Sequence, residues 1–109
     1  NGAILTSHCI EASRCISCAT IEGNDAADIR LDGWIFGCDE CQSCCPYNSH
    51  TPLHYNTAFD PLFDPSSISG DEWLGMTEET FTAMFAGTPL MRSGLERLQR
   101  NVKRNIQDD

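Results

Sequence analysis

The strongest periodicity in the chain lies at its C-terminal end. Met91, Leu95, Leu98, Val102 and Ile106 recur at helical spacing, with Arg92, Arg97, Arg100, Lys103 and Arg104 on the remaining faces. That stripe predicts an amphipathic helix packed by its apolar side. Upstream, Ser69-Gly70-Asp71-Glu72 before Trp73-Leu74 has the capping-box pattern of a helix start. Thr77 is placed to cap a second short helix, in which Phe81, Met84 and Phe85 follow helical spacing. Gly87-Thr88-Pro89 breaks the chain, and Pro89 suits a first helical turn. Two or three packed helices are expected here.

Periodicity is weaker before residue 69. Residues 1–12 alternate without a clear period. Ser13 is expected to cap a helix from Arg14 to about Glu22, ended by Gly23-Asn24. The acidic stretch to Gly33 reads as a loop with one helical turn around Asp25–Ile29. Trp34-Ile35-Phe36 is a short apolar run able to anchor the cysteine segment to a core. From Tyr47 to Ser69 the chain is rich in Pro, Asn, His, Asp and Ser, the composition of an extended surface linker. The pattern divides into a cysteine-rich segment (1–48), a linker (49–68) and an α-helical region (69–109). The expected fold class is mainly α.

Composition narrows this further. At 109 residues the chain is one domain or a piece of one. The start at Asn1-Gly2-Ala3-Ile4, without Met, reads as the continuation of something upstream, so a fragment is expected. No apolar stretch approaches the ~20 residues of a membrane span, and no signal-peptide pattern opens the chain. The net charge of −9 is unevenly spread. Residues 1–85 hold Arg14 and Arg30 as their only bases against 13 acids, whereas five bases follow Ala86. The acidic part argues against contact with nucleic acid; the basic end leaves it open.

Seven cysteines crowd between Cys9 and Cys45. The odd count and the vicinal Cys44-Cys45 pair fit a disulfide framework poorly, and a cytoplasmic protein keeps its thiols reduced. Cys38-x2-Cys41-x3-Cys45-Pro46 matches the spacing of an iron–sulfur segment, in which three thiolates come from one short run and a fourth from elsewhere. On a helical turn Cys38, Cys41 and Cys45 would share one face, with Cys44 pointing away. Gly37 allows the backbone close to inorganic sulfur, and Pro46 turns the chain away. The alternative is zinc: Cys15-x2-Cys18-x19-Cys38-x2-Cys41 falls within the spacing of a four-cysteine site. In that case the chain is a zinc-stapled module whose basic last helix meets a nucleic-acid or protein partner.

The residues around these cysteines resemble epoxyqueuosine reductase. Arg14-Cys15-Ile16-Ser17-Cys18-Ala19-Thr20-Ile21-Glu22, Gly37-Cys38-Asp39-Glu40-Cys41-Gln42 and Cys45-Pro46-Tyr47-Asn48 are similar to two segments of that family. Phe85-x-Gly87-Thr88-Pro89-Leu90-x-Arg92-x-Gly94 and Arg97-x-x-Arg100-Asn101 are similar to a third. The resemblance implies an iron–sulfur oxidoreductase of the cytoplasm that reduces epoxyqueuosine in tRNA to queuosine. It implies a cobalamin bound in an N-terminal catalytic domain, two 4Fe-4S clusters in a ferredoxin-type module, and a helical region that helps hold the tRNA. Cys15, Cys38 and Cys41 match three ligands of one cluster, with a fourth expected upstream of Asn1. Cys45 matches the ligand that crosses to the other cluster. Both ligand sets would be incomplete here, and such a fragment is expected to be inactive alone. Cys9, Cys18 and Cys44 depart from the family pattern.

Other residues have plainer readings. Trp34, Phe36, Trp73, Phe81 and Phe85 are expected in the core. His8, His50 and His54 are expected to be solvated, and Cys9 to be a small buried hydrophobe. Arg92, Arg97, Arg100, Lys103 and Arg104 are by default a solvated helix face, or else phosphate contacts to tRNA. No serine, histidine and carboxylate set stands out as a hydrolytic site.

Overall fold

The computed structural model describes residues 2–23, 29–53, 55–60 and 63–108. The expected turn around Asp25–Ile29 falls mostly outside them, as does His54. The described residues are mainly helical. A small antiparallel hairpin pairs β1 (Ile4–Thr6) with β2 (Cys9–Ile10), with Thr6 opposite Cys9. Then come α1 (Ile16–Ile21), α2 (Glu40–Ser43), α3 (Gly70–Leu74), α4 (Glu78–Phe85), α5 (Leu90–Ser93) and α6 (Leu95–Asp108).

The caps expected in the C-terminal half form. Ser69 Oγ accepts the Glu72 N–H, and the Glu72 carboxylate reaches back to the Ser69 hydroxyl. Thr77 Oγ1 accepts the Thr80 N–H at the start of α4. Gly94, at φ +80, separates α5 from α6, so Met91 does not extend the stripe of the last helix. Leu95, Leu98 and Val102 of α6 bury against Trp73, Phe81, Phe85 and Leu90. Phe85 is the hub. Its ring stacks on Trp73 at a centroid distance of 5.7 Å and meets Phe81 at 5.5 Å. Ile106, at the far end of the stripe, stays 54% exposed.

A smaller core, Ile16, Ala19 and Leu31, underlies the cysteine-rich half. The two cores meet at the apolar run: Trp34 packs on the smaller and Ile35 and Phe36 on the larger. Trp34 and Phe36 are half-buried, the other three aromatics fully buried.

Three local expectations change. Ser13 does not cap α1, because its hydroxyl donates to the Glu11 side chain and a 3-10 turn, Ala12–Arg14, intervenes. Cys15 takes the cap position. Cys9 is exposed, since the hairpin carrying it shows all five strand residues to solvent. The 47–69 stretch is punctuated by 3-10 turns at Pro46–Asn48, Thr57–Phe59 and Pro65–Ser67, the last two held by Asn56 and Asp64 side chains. Among the described residues no helix is long and apolar enough to cross a membrane.

Candidate metal centre

The segments carrying Cys15 and Cys38 are packed into one unit. Ile16 and Ala19 of α1 are buried beside Leu31, and half-buried Cys38 rests on this cluster. The link is also polar. Thr20 is fully buried; its hydroxyl donates to the Ser17 carbonyl (3.1 Å) and accepts the Gly37 N–H (2.9 Å). Gly37 has φ +73, a conformation that a side chain would strain, and it immediately precedes Cys38. The kink before this thiol is therefore anchored to α1.

Helix α6 holds the same loop from behind. Asn101, only 4% exposed, donates to the carbonyls of Thr20 (3.0 Å) and Ile35 (2.9 Å). Asn105 donates to the Trp34 carbonyl (2.8 Å) and accepts the Gly33 N–H (2.8 Å). Gly33 lies in an Asp-Gly turn closed by a Trp34 N–H to Leu31 carbonyl bond. Asn101 and Asn105 sit one turn apart, so α6 presents an amide edge to the cysteine-rich half and an apolar edge to the helical core. Sequence reading passed over their roles. Asn101 is marked in the sequence by the family-like segment Arg97-x-x-Arg100-Asn101 and by its place between Leu98 and Val102, neither of which points to a tie across the fold.

The expected helical face joining Cys38, Cys41 and Cys45 does not form. Helix α2 spans four residues, starting after Asp39 and ending before Cys44. Cys45 is extended (φ −71, ψ 126), as a residue before proline must be, and Pro46 opens a 3-10 turn rather than simply ending the segment. Cys41 and Cys44 are exposed, with the Cys44 thiol 3.7 Å from the Cys41 carbonyl. Cys15, Cys18, Cys38 and Cys45 are half-buried. None of the seven cysteines is in a disulfide. As a donor set these thiols suit a soft metal or an iron–sulfur cluster in kind. Among the described residues, however, no three Cys, His, Asp or Glu side chains converge as a cage. This holds equally for Cys15, Cys38, Cys41 and Cys45 and for the zinc set Cys15, Cys18, Cys38 and Cys41.

The five basic residues are divided. Arg92 pairs with Glu22 at the end of α1. Half-buried Arg97 lies over Gly23 so closely that a Cβ there would collide with its guanidinium. Arg104 donates to the Ile29 carbonyl at 2.7 Å. Arg92, Arg97 and Arg104 thus lie between α5 or α6 and the cysteine-rich half; Arg100 and Lys103 are exposed, as is Arg92.

Fold and donors together define a mainly helical segment in which a thiol-rich half is clamped to a helical one. This chain is 38% identical to an epoxyqueuosine reductase of Cyclobacterium marinum over 104 residues, which cover 92% of this chain and 33% of the relative. It is 35% identical to the epoxyqueuosine reductase of Escherichia coli over 108 residues (93% of this chain, 28% of the relative). A Pseudomonas aeruginosa epoxyqueuosine reductase is 35% identical over 97 residues, 85% of this chain and 27% of the relative. The chain belongs to the epoxyqueuosine reductase family, and it spans only 27–33% of the length of these curated relatives. No family model matches the chain, and no solved structure matches it.

Proposed function

We propose that this chain is the electron-carrying part of an epoxyqueuosine-reducing enzyme, with Cys15, Cys38 and Cys41 as thiolate ligands of one 4Fe-4S cluster and Cys45 as a ligand of a second. The reduction itself, with its cobalamin, is assigned by this reading to the part of such a protein that the chain does not span. A cluster held here would supply single-electron transfer. Two features support the reading: Cys15 sits at the N-cap of α1, and the Thr20 hydroxyl holds the kink before Cys38.

One observation carries the reading. Two cysteine segments distant in sequence are united by Cys38 packing on the cluster of Ile16, Ala19 and Leu31, and by the Gly37 N–H on the Thr20 hydroxyl.

The test is metal and sulfide analysis of protein purified without oxygen, both of this chain and of the protein at its relatives' full length. Iron with acid-labile sulfide is expected in the longer protein, lost on Cys38→Ala or Cys41→Ala. Stoichiometric zinc persisting there would sink the iron–sulfur assignment in favour of a zinc staple built from Cys15, Cys18, Cys38 and Cys41.

A further inference from the structure

We propose that Thr20 is a positioning residue for the Cys38 thiol, acting through the Gly37 amide rather than by touching the metal. The proposal rests on reading Cys38 as a ligand. Thr20 is fully buried, yet its hydroxyl serves the loop opposite as well as its own helix: it accepts the Gly37 N–H at 2.9 Å. That amide sits at the positive-φ residue directly before the ligand. A threonine that only filled space in α1 would be replaceable by valine, which has the same branched shape. Here valine leaves the Gly37 N–H without its acceptor and frees the kink that aims Cys38. The backdrop is rigid, because Asn101 fixes the Thr20 carbonyl and the Ile35 carbonyl on either side of the contact. The hydroxyl is thus the link that sets the direction of Cys38 relative to α1.

The experiment uses the metal-free reduced chain and follows alkylation of each cysteine by iodoacetamide, resolved by peptide mass spectrometry. In Thr20→Val the rate at Cys38 should rise about fivefold, the equivalent of one lost hydrogen bond, while Thr20→Ser stays within about twofold of the parent. Cys18, half-buried on the same helix, is the internal control and should not change. Equal acceleration of Cys18 and Cys38 would mean that α1 has merely loosened, and would overturn the proposal. So would an unchanged Cys38.

Should Thr20→Val fail to fold, Gly37→Ala decides the matter. A Cβ at residue 37 meets nothing within 4 Å, so that change perturbs φ alone. It should accelerate Cys38 selectively, and no acceleration refutes the proposal. Iron uptake by the longer protein separates this idea from the ligand reading. Selective acceleration of Cys38 in a protein that never takes up iron removes the cluster assignment and keeps the positioning role.

Discussion

The Asn101 side-chain amide donates to the Thr20 carbonyl at 3.0 Å, joining the last helix to the end of the first across 81 positions of sequence. The same nitrogen donates to the Ile35 carbonyl at 2.9 Å. One buried amide therefore closes the space between the two cores. Removing it leaves two carbonyls facing a void. Asn101→Ala is expected to cost about 2–4 kcal/mol, the loss of two buried hydrogen bonds. Asn101→Asp should cost more, because it sets a buried carboxylate against carbonyl oxygens. Urea unfolding of the three proteins checks the order; an alanine variant as stable as the parent would refute the tie.

Phe85 is the second point of concentration. It is 2% exposed and contacts the rings of Trp73, Phe81 and Phe63. Truncation to alanine is expected to cost about 3–5 kcal/mol, while Phe85→Leu should retain much of the packing. Thermal unfolding distinguishes a hub from a replaceable ring, for which both variants would melt alike.

The Asp64 carboxylate is held below its ordinary 3.8, first by the Ser66 hydroxyl and then by the Ser66 backbone N–H, both donating to it. A carboxylate whose folded pKa is lowered stabilises its surroundings above its unfolded pKa. That support is lost as pH falls through the lowered folded value. The turn Pro65–Ser67 should therefore open in acid below pH 3.8. The Ser66 amide resonance followed by NMR should show this step, and Asp64→Asn should abolish it.

Charge reversal on α6 should separate two kinds of basic residue. Arg100 and Lys103 are exposed, whereas Arg104 is half-buried with its guanidinium on the Ile29 carbonyl. On the proposal that Arg100 and Lys103 contact tRNA phosphates in the protein at its relatives' full length, Arg100→Glu with Lys103→Glu is expected to weaken that binding and lower its salt dependence, by about one unit of slope per residue. Arg104→Glu should instead lower the melting temperature of this chain. Unchanged tRNA affinity of the double variant at low salt would return both residues to plain solvated surface.

Much of the fold was legible locally. Ser69 and Thr77 cap the helices they were expected to cap, because a cap joins a side chain to an amide three residues on, within reach of sequence pattern. The stripe Leu95, Leu98 and Val102 buries as its spacing requires. Legibility failed where a neighbour competed. Ser13 turned to Glu11, and Cys45 was held extended by Pro46, breaking the helical face that spacing alone suggests for Cys38, Cys41 and Cys45.

By itself, the sequence determined which chemistry was on offer: seven thiols, five of them (Cys15, Cys18, Cys38, Cys41 and Cys45) at metal-ligand spacing, a mainly helical chain, and the family whose segments these are. Tertiary structure alone decided which side chains hold the thiol-rich half in place. Asn101, Asn105 and Arg104 look like ordinary polar positions on an amphipathic helix. Their partners are the carbonyls of Thr20, Ile35, Trp34 and Ile29, at least 66 residues away along the chain. A carbonyl belongs to every residue, so no residue type marks the one that will be met. Only the packing of α6 between the two cores selects it.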